Sequence, residues 1–336
     1  MRKKVIIGTA VGFSIIALFF LLILFTPLTS RKDVGIRIKN GEGIEAVYAQ
    51  LDTIANPLNN WMFHLLTNIS GYDEHVKPGA YKCTEHSTLR VFREMRNGIQ
   101  APVKLVIPPA RTSEELAAKL SKILLTDSAS LADKFCDSTF CAEYKLTPQT
   151  LISIFIANTY EVYWTIKPEA LVKRMKKEYD KFWTKARCKK AQAQGLDQLG
   201  VITLASIIQK ETANDGEKPM VAGMYLNRLH KDMLLQADPT VIYANKDFSM
   251  RRVLNKHLTV DSPYNTYKYK GLPPGPICIP DMASVEAVLN PATHEYLYMC
   301  AKEDFSGTHN FAVTFAEHKQ NAKKYTDALN ARGIKK

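Results

Sequence analysis

Directly after Met1-Arg2-Lys3-Lys4, the chain runs from Val5 to Phe25 without a single charged residue. A helix of about 21 apolar residues matches the hydrocarbon thickness of a bilayer. A cleaved signal peptide is the competing reading, but such peptides have apolar runs of roughly 7 to 15 residues and end in a small-x-small site. Thr26-Pro27-Leu28-Thr29-Ser30 supplies no such site. The expectation is therefore an uncleaved single-pass anchor, with residues 1–4 cytoplasmic and 5–26 in the membrane. Arg2, Lys3 and Lys4 orient it by the positive-inside rule, although Arg31 and Lys32 weaken the asymmetry. The rest of the chain is then expected on the periplasmic or extracytoplasmic side of the cell's inner (cytoplasmic) membrane.

The 336 residues, 46% hydrophobic and 23% charged, accommodate a small module and a full-sized domain. The formal charge of +12 suits an anionic partner, such as a lipid surface or an acidic polymer. Nucleic acid is not expected behind an anchor, and no basic and aromatic recognition motif stands out. The six cysteines fit neither a zinc site nor a redox C-x-x-C. Cys136 and Cys141 are spaced to close a local disulfide loop, and free buried thiols are an equal alternative.

Residues 34–54 read as a strand, a Gly-rich turn and a helix with Ile44, Val47, Tyr48 and Leu51 at helical spacing. Residues 79–98 repeat the pattern, with Ser87 as cap and Gly98 as stop. Together they predict a small α+β module over 32–102. A third unit opens with a strand at Val103–Ile107 and a Thr112/Glu115 capping box. Leu125 to Phe140, polar and broken, reads as a surface excursion, and Asn158-Thr159-Tyr160 as a loop. Pro168 opens a helix whose lysine-rich side is read as solvated, with a docking surface as the alternative. The expected fold class is α+β, with 103–336 as the larger domain.

Within that domain, Leu204, Ile207, Ile208 and Glu211 fall at i, i+3, i+4 and i+7, so a helix places an acid on its own apolar stripe. A carboxylate so placed has a raised pKa and suits a general acid. A helix that frays before Glu211 would instead leave it solvated. Asn214-Asp215-Gly216 marks a turn, and Glu217–Leu229 a second helix with Val221, Tyr225 and Leu229 on one face. Asp238-Pro239 reads as a helix cap followed by Pro, which is reason enough for that acid without a ligand role. The run Pro263–Tyr267 and the Gly-Pro-rich 271–276 predict a rigid loop presenting tyrosine, asparagine and threonine, groups that suit carbohydrate. There is no H-E-x-x-H, P-loop, G-x-G-x-x-G or G-x-S-x-G, and Ser206 and Lys210 miss the S-x-x-K spacing. No metal and no cofactor are expected.

The words ASIIQKET, YLNRL, LLQADPTVIYA, SPYNTY, GLPPGPI, LNPATHEYLYM and GTHNFAVTFAEH, in this order behind one N-terminal anchor, resemble the YceG-like family of endolytic murein transglycosylases. The resemblance implies a LysM-like subdomain upstream and a catalytic domain over 103–336. It also implies internal cleavage of peptidoglycan strands between N-acetylmuramic acid and N-acetylglucosamine, leaving 1,6-anhydro ends and ending strand elongation. The Glu of the family's KET word falls on Glu211. Gln236, Asp238, Thr240, Tyr264, Asn265, Thr266 and Tyr267 match words expected to line the glycan cleft, and His309 is a further candidate; fold-fixing roles are the alternative for each.

Departures matter too. Where the family often has I-P-E-G, this chain has Ile107-Pro108-Pro109-Ala110, which argues against an essential acid there, and Gln209 stands where many relatives carry Glu. The expected partners are glycan strands, membrane lipid and wall synthases. A non-catalytic wall-binding scaffold, and a hydrolytic muramidase using Asp215, Glu217 or Asp238 to activate water, are the competing functions.

Overall fold

The computed structural model describes residues 2–250 and 252–332, with side chains from residue 6 onward. The side chains of the basic flank Arg2–Lys4, expected to set orientation, lie outside the described residues, as do positions 333–336 of the expected second domain. The chain forms two compact units, the first built from residues up to Leu105 with Ile123–Thr126 and Tyr160–Ile166, the second from the remainder.

In the first unit, α1 (Arg2–Phe25) contains an apolar stretch, Ile6–Phe25, of mean hydropathy 2.7 and only 6% buried. The exposure separates it from the core helix of a soluble protein and leaves an anchor or a signal sequence. Its C-terminal end is tied down by Asn59, whose Nδ2 donates to Ile23 O at 3.1 Å, Thr26 Oγ1 at 2.9 Å and Thr88 Oγ1 at 2.8 Å. Then follow β1 (Gly35–Ile38), α2 (Ile44–Ile54), α3 (Pro57–Ser70), β2 (Gly79–Lys82) and α4 (Thr88–Asn97). β1 and β2 pair antiparallel with Ile36 opposite Tyr81. Alternation along β1 sends Ile36 and Ile38 inward to meet Val47, Leu51, Phe63 and Phe92, all buried. The predicted Ser87 cap accepts from Arg90 N, and Gly98 closes α4 at φ 71°, a left-handed value that suits glycine. β3 (Pro102–Val106) pairs with β4 (Thr159–Tyr163). The expected loop at Asn158–Tyr160 is thus corrected: Thr-Tyr-Glu-Val-Tyr alternates exposed and buried, which is strand grammar.

The second unit holds α5 (Ser113–Leu120), α6 (Ser128–Phe135), α7 (Ser138–Glu143), α8 (Pro168–Phe182), α9 (Lys185–Ala193), α10 (Gln198–Glu211), α11 (Lys218–His230), α12 (Asp238–Asn245), α13 (Met282–Leu289), β5 (Tyr298–Ala301), β6 (His309–Ala312) and α14 (Phe315–Ala331). The expected surface excursion after Leu125 is instead the pair α6 and α7. Asp127 and Asp137 cap them, and Leu131, Phe135 and Phe140 are buried. Two short helices separated by polar caps look broken in sequence because each shows scarcely one apolar repeat. α10 lies at the centre: every residue from Val201 to Ile208 is buried, so the stripe read from sequence is one side of a helix enclosed all round. It packs on α13 and α11. Ser206 Oγ, buried in its middle, accepts Ile277 N at 2.9 Å and so fastens the Gly-Pro-rich loop to the core. All six cysteines are free, Cys136 Sγ lying 3.4 Å from Glu114 Oε1, and the Cys136–Cys141 bridge is not formed.

Candidate active site

Asp197 caps α10 by accepting from Gly200 N at 2.7 Å, and the helix then runs without fraying to Glu211, its last residue. The acid therefore emerges from an apolar core into the lining of a cavity of about 340 Å³, within the range of small-ligand sites. Tyr225, 2% exposed on α11, donates its hydroxyl to Glu211 Oε1 at 2.6 Å. Burial pushes the Glu211 carboxyl up to about 7. The Tyr225 hydrogen bond opposes that rise, and the neighbouring charge of Asp238 adds to it. An acid that is half protonated near neutral pH can both give and take a proton.

Asp238 is not the helix cap expected of it. Ala237 holds the N-cap position, and α12 begins at Asp238, so the carboxylate is released from the backbone. It accepts the Tyr267 hydroxyl at 2.6 Å, and both residues line the cavity. Gln236 also lines it, with a left-handed φ of 50° that is unusual for a residue with a Cβ. Such strain persists only where the surroundings hold it. Here Gln236 N donates to Thr266 O at 3.1 Å, and its Oε1 accepts from Arg228 Nη2 at 2.6 Å.

His309, at the start of β6, faces the same cavity and is fixed from behind by Glu217. That buried carboxylate accepts from His309 N at 2.6 Å, approaches His309 Nδ1 at 2.8 Å and takes the Thr212 hydroxyl at 3.1 Å. Glu217 is thereby occupied, and Asp215 is ion-paired with Lys218 at 2.7 Å. Among the carboxylates named as water activators, only Asp238 shares the cavity with Glu211.

Four expected cleft residues stand elsewhere. Thr240 and Thr266 are buried, their hydroxyls 2.8 Å apart, and Thr266 Oγ1 also accepts from Ala237 N at 3.0 Å. Asn265 is fully buried and spends its amide on Leu258 O and Val260 O, both at 2.8 Å. The two threonines clamp the 262–269 loop to residues 237–240, Asn265 ties it to residues 258–260, and none of the three lines the cavity, which corrects the expectation of ligand contact. Tyr264 lines a different cavity, of about 760 Å³, with Glu114, Cys136 and Tyr243.

Other wall residues escaped the sequence reading. Arg228 lies three positions after Tyr225, one turn along the same face of α11, and its guanidinium sits 5.6 Å over the Tyr298 ring. Burial lowers its pKa. Their spacing within YLNRL was the available signal: a tyrosine and an arginine on an otherwise apolar face need partners. Tyr298 and Cys300 from β5, with Phe315 and His318 from α14, complete the opposite wall. Their place follows from the β5–β6 hairpin, in which Tyr298 pairs with Ala312, and from the Thr314/Glu317 capping box that starts α14 beside it.

A model of the YceG-like family matches residues 36–324. An endolytic murein transglycosylase of Bacillus subtilis is 44% identical over 133 residues, covering 39% of this chain and 35% of that protein. One from Streptococcus pneumoniae is 25% identical across 89% of this chain and 59% of its own length. The chain thus spans about a third to three fifths of these relatives. The crystal structure of a yceG-like protein from Listeria monocytogenes superposes with a TM-score of 0.55 at 29% identity, covering 87% of this chain and 99% of that one.

Proposed function

The chain belongs to the YceG-like family, and on that premise we propose that it is a lytic transglycosylase that cuts peptidoglycan strands internally. The observation that carries the proposal is the position of Glu211: a carboxyl with its pKa raised to about 7, at the end of a buried helix, facing a cavity. The names of the relatives, endolytic murein transglycosylase, supply the substrate class.

The chemistry needs only one acid. Glu211 protonates the glycosidic oxygen between N-acetylmuramic acid and N-acetylglucosamine as the bond to C1 breaks. Its carboxylate then takes the proton of the muramic acid's own C6 hydroxyl as O6 bonds to C1, leaving a 1,6-anhydro end and consuming no water. The intramolecular attack replaces the second carboxylate that glycosidases use for a nucleophile or for water. Asp238, held by Tyr267, supplies negative charge beside the developing cationic sugar. Gln236 and His309 serve as hydrogen-bonding walls.

We further read the first unit as a LysM-like glycan-gripping subdomain and α1 as the anchor that keeps the enzyme on the extracytoplasmic face, where new strands emerge from wall synthases and are terminated. The exposed apolar stretch of α1 supports the anchor.

A second reading, hydrolysis with Asp238 activating water, is favoured by the presence of that carboxylate in the same cavity. Both readings predict that the detergent-solubilised chain shortens long glycan strands from within, so chromatography sees mean length fall before disaccharides accumulate. Strands that are bound but never shortened would leave only the scaffold function.

The pH profile follows from the sign of the Glu211 shift. The free enzyme must start protonated, so kcat/KM is level below about pH 7 and falls about tenfold per unit above it. Tyr225→Phe removes a hydrogen bond that favours the charged form, so the alkaline limb moves to higher pH. A limb moving downward in that variant would contradict the assigned role of Tyr225.

A further inference from the structure

Arg228 brings a charge into the protein without a carboxylate to meet it. It is 7% exposed, forms no ion pair among the described residues, donates one hydrogen bond to the neutral amide of Gln236, and has an Nε without a partner. Beside it on α14, His318 has a buried Nδ1 that is also without a partner, and its ring lies 5.5 Å from that of Tyr298, over which the guanidinium is placed. All three residues line the cavity that holds Glu211. An enclosed cation lacking a counter-ion is unfavourable, and the planar guanidinium fork matches a carboxylate in shape and charge. The phenols of Tyr225, Tyr267 and Tyr298 are its neighbours, and Tyr267 is itself committed to Asp238.

We propose that Arg228, flanked by His318 and Tyr298, is a binding site for a carboxylate of the substrate, one borne by a peptide stem hanging from the glycan strand. The enzyme then distinguishes strands by the charge of their stems as well as by their sugars. This inference rests on the reading of the substrate as a peptidoglycan strand.

The test uses the full-length Glu211→Gln chain in detergent, so that the ligand survives, and titration calorimetry with three murein tetrasaccharides: free-acid stems, the same stems with carboxylates amidated, and no stems. Free-acid stems are expected to bind about tenfold more tightly than amidated ones, the scale of one charge-assisted pair. Adding Arg228→Gln should bring the two to near equality. Equal binding of the first two ligands by the Glu211→Gln chain itself, which needs no change at Arg228, would overturn the carboxylate site and leave the glycan reading intact. Failure of all three saccharides to bind would overturn both.

Discussion

Replacing Glu211 by Gln is expected to lower kcat for strand cleavage by about three orders of magnitude or more, within the range that general acid-base groups contribute. The size of the effect follows from the proposed mechanism, in which one acid makes both proton transfers: the variant could neither protonate the leaving oxygen nor collect the C6 proton. The fold should survive, because Gln keeps an oxygen to accept from the Tyr225 hydroxyl that now meets Glu211 at 2.6 Å. Stability should even improve at higher pH. A carboxyl raised from 4.5 to about 7 in the folded state contributes stability that is present below pH 4.5 and lost as pH rises through 7. Wild type should therefore lose ground to Glu211→Gln between pH 5 and about 8, as thermal melts at several pH values will record. Activity retained near wild type would remove Glu211 from the mechanism.

The second large effect is on the fold. Gly223→Ala is expected to destabilise the protein by about 2–3 kcal/mol, the cost of forcing extra atoms into a packed interior. A Cβ at Gly223 would collide with the Ala292 carbonyl and come within 2.6 Å of His294 Nε2. The carbonyl is backbone and cannot rotate away. His294 is held by Met220 O at 3.0 Å, and Asn227 Nδ2 donates to His294 O at 2.8 Å. The helical preference for Ala over Gly, about 1 kcal/mol, offsets only part of this. Because α11 carries Tyr225 and Arg228, any shift that relieves the clash also moves them, and the Glu211 hydrogen bond with them. Chemical denaturation gives the stability change directly; a Gly223→Ala chain as stable as wild type would show that α11 has room to move.

How far the molecule could be read from its sequence depended on how local the determining interaction was. α10 was legible because its apolar period and its terminal acid lie within two turns of one another, and periodicity is the strongest local signal, whereas its Asp197 cap was not read. The caps at Ser87 and Thr112 were legible for the same reason. Asp238 was misread because Asp-Pro fits a cap, whereas the chain enters the helix one residue earlier and hands the carboxylate to Tyr267. Thr240, in the first turn of a helix, and Asn265 and Thr266, in a loop, match words expected to bind ligand, yet nothing in their order says that two hydroxyls will find each other across 26 positions. The wall formed by Tyr298, Cys300 and His318 was invisible, since a distant hairpin and the helix that follows it bring these residues to the cavity that Glu211 lines.

The central claim is that a sugar hydroxyl, not water, attacks the cut bond. Mass spectrometry of the new strand ends made by the full-length chain tests it most directly. The lone-acid mechanism at Glu211 predicts 1,6-anhydro-muramic ends, each lighter by one water than a reducing end. Reducing ends would contradict it and assign water activation to Asp238.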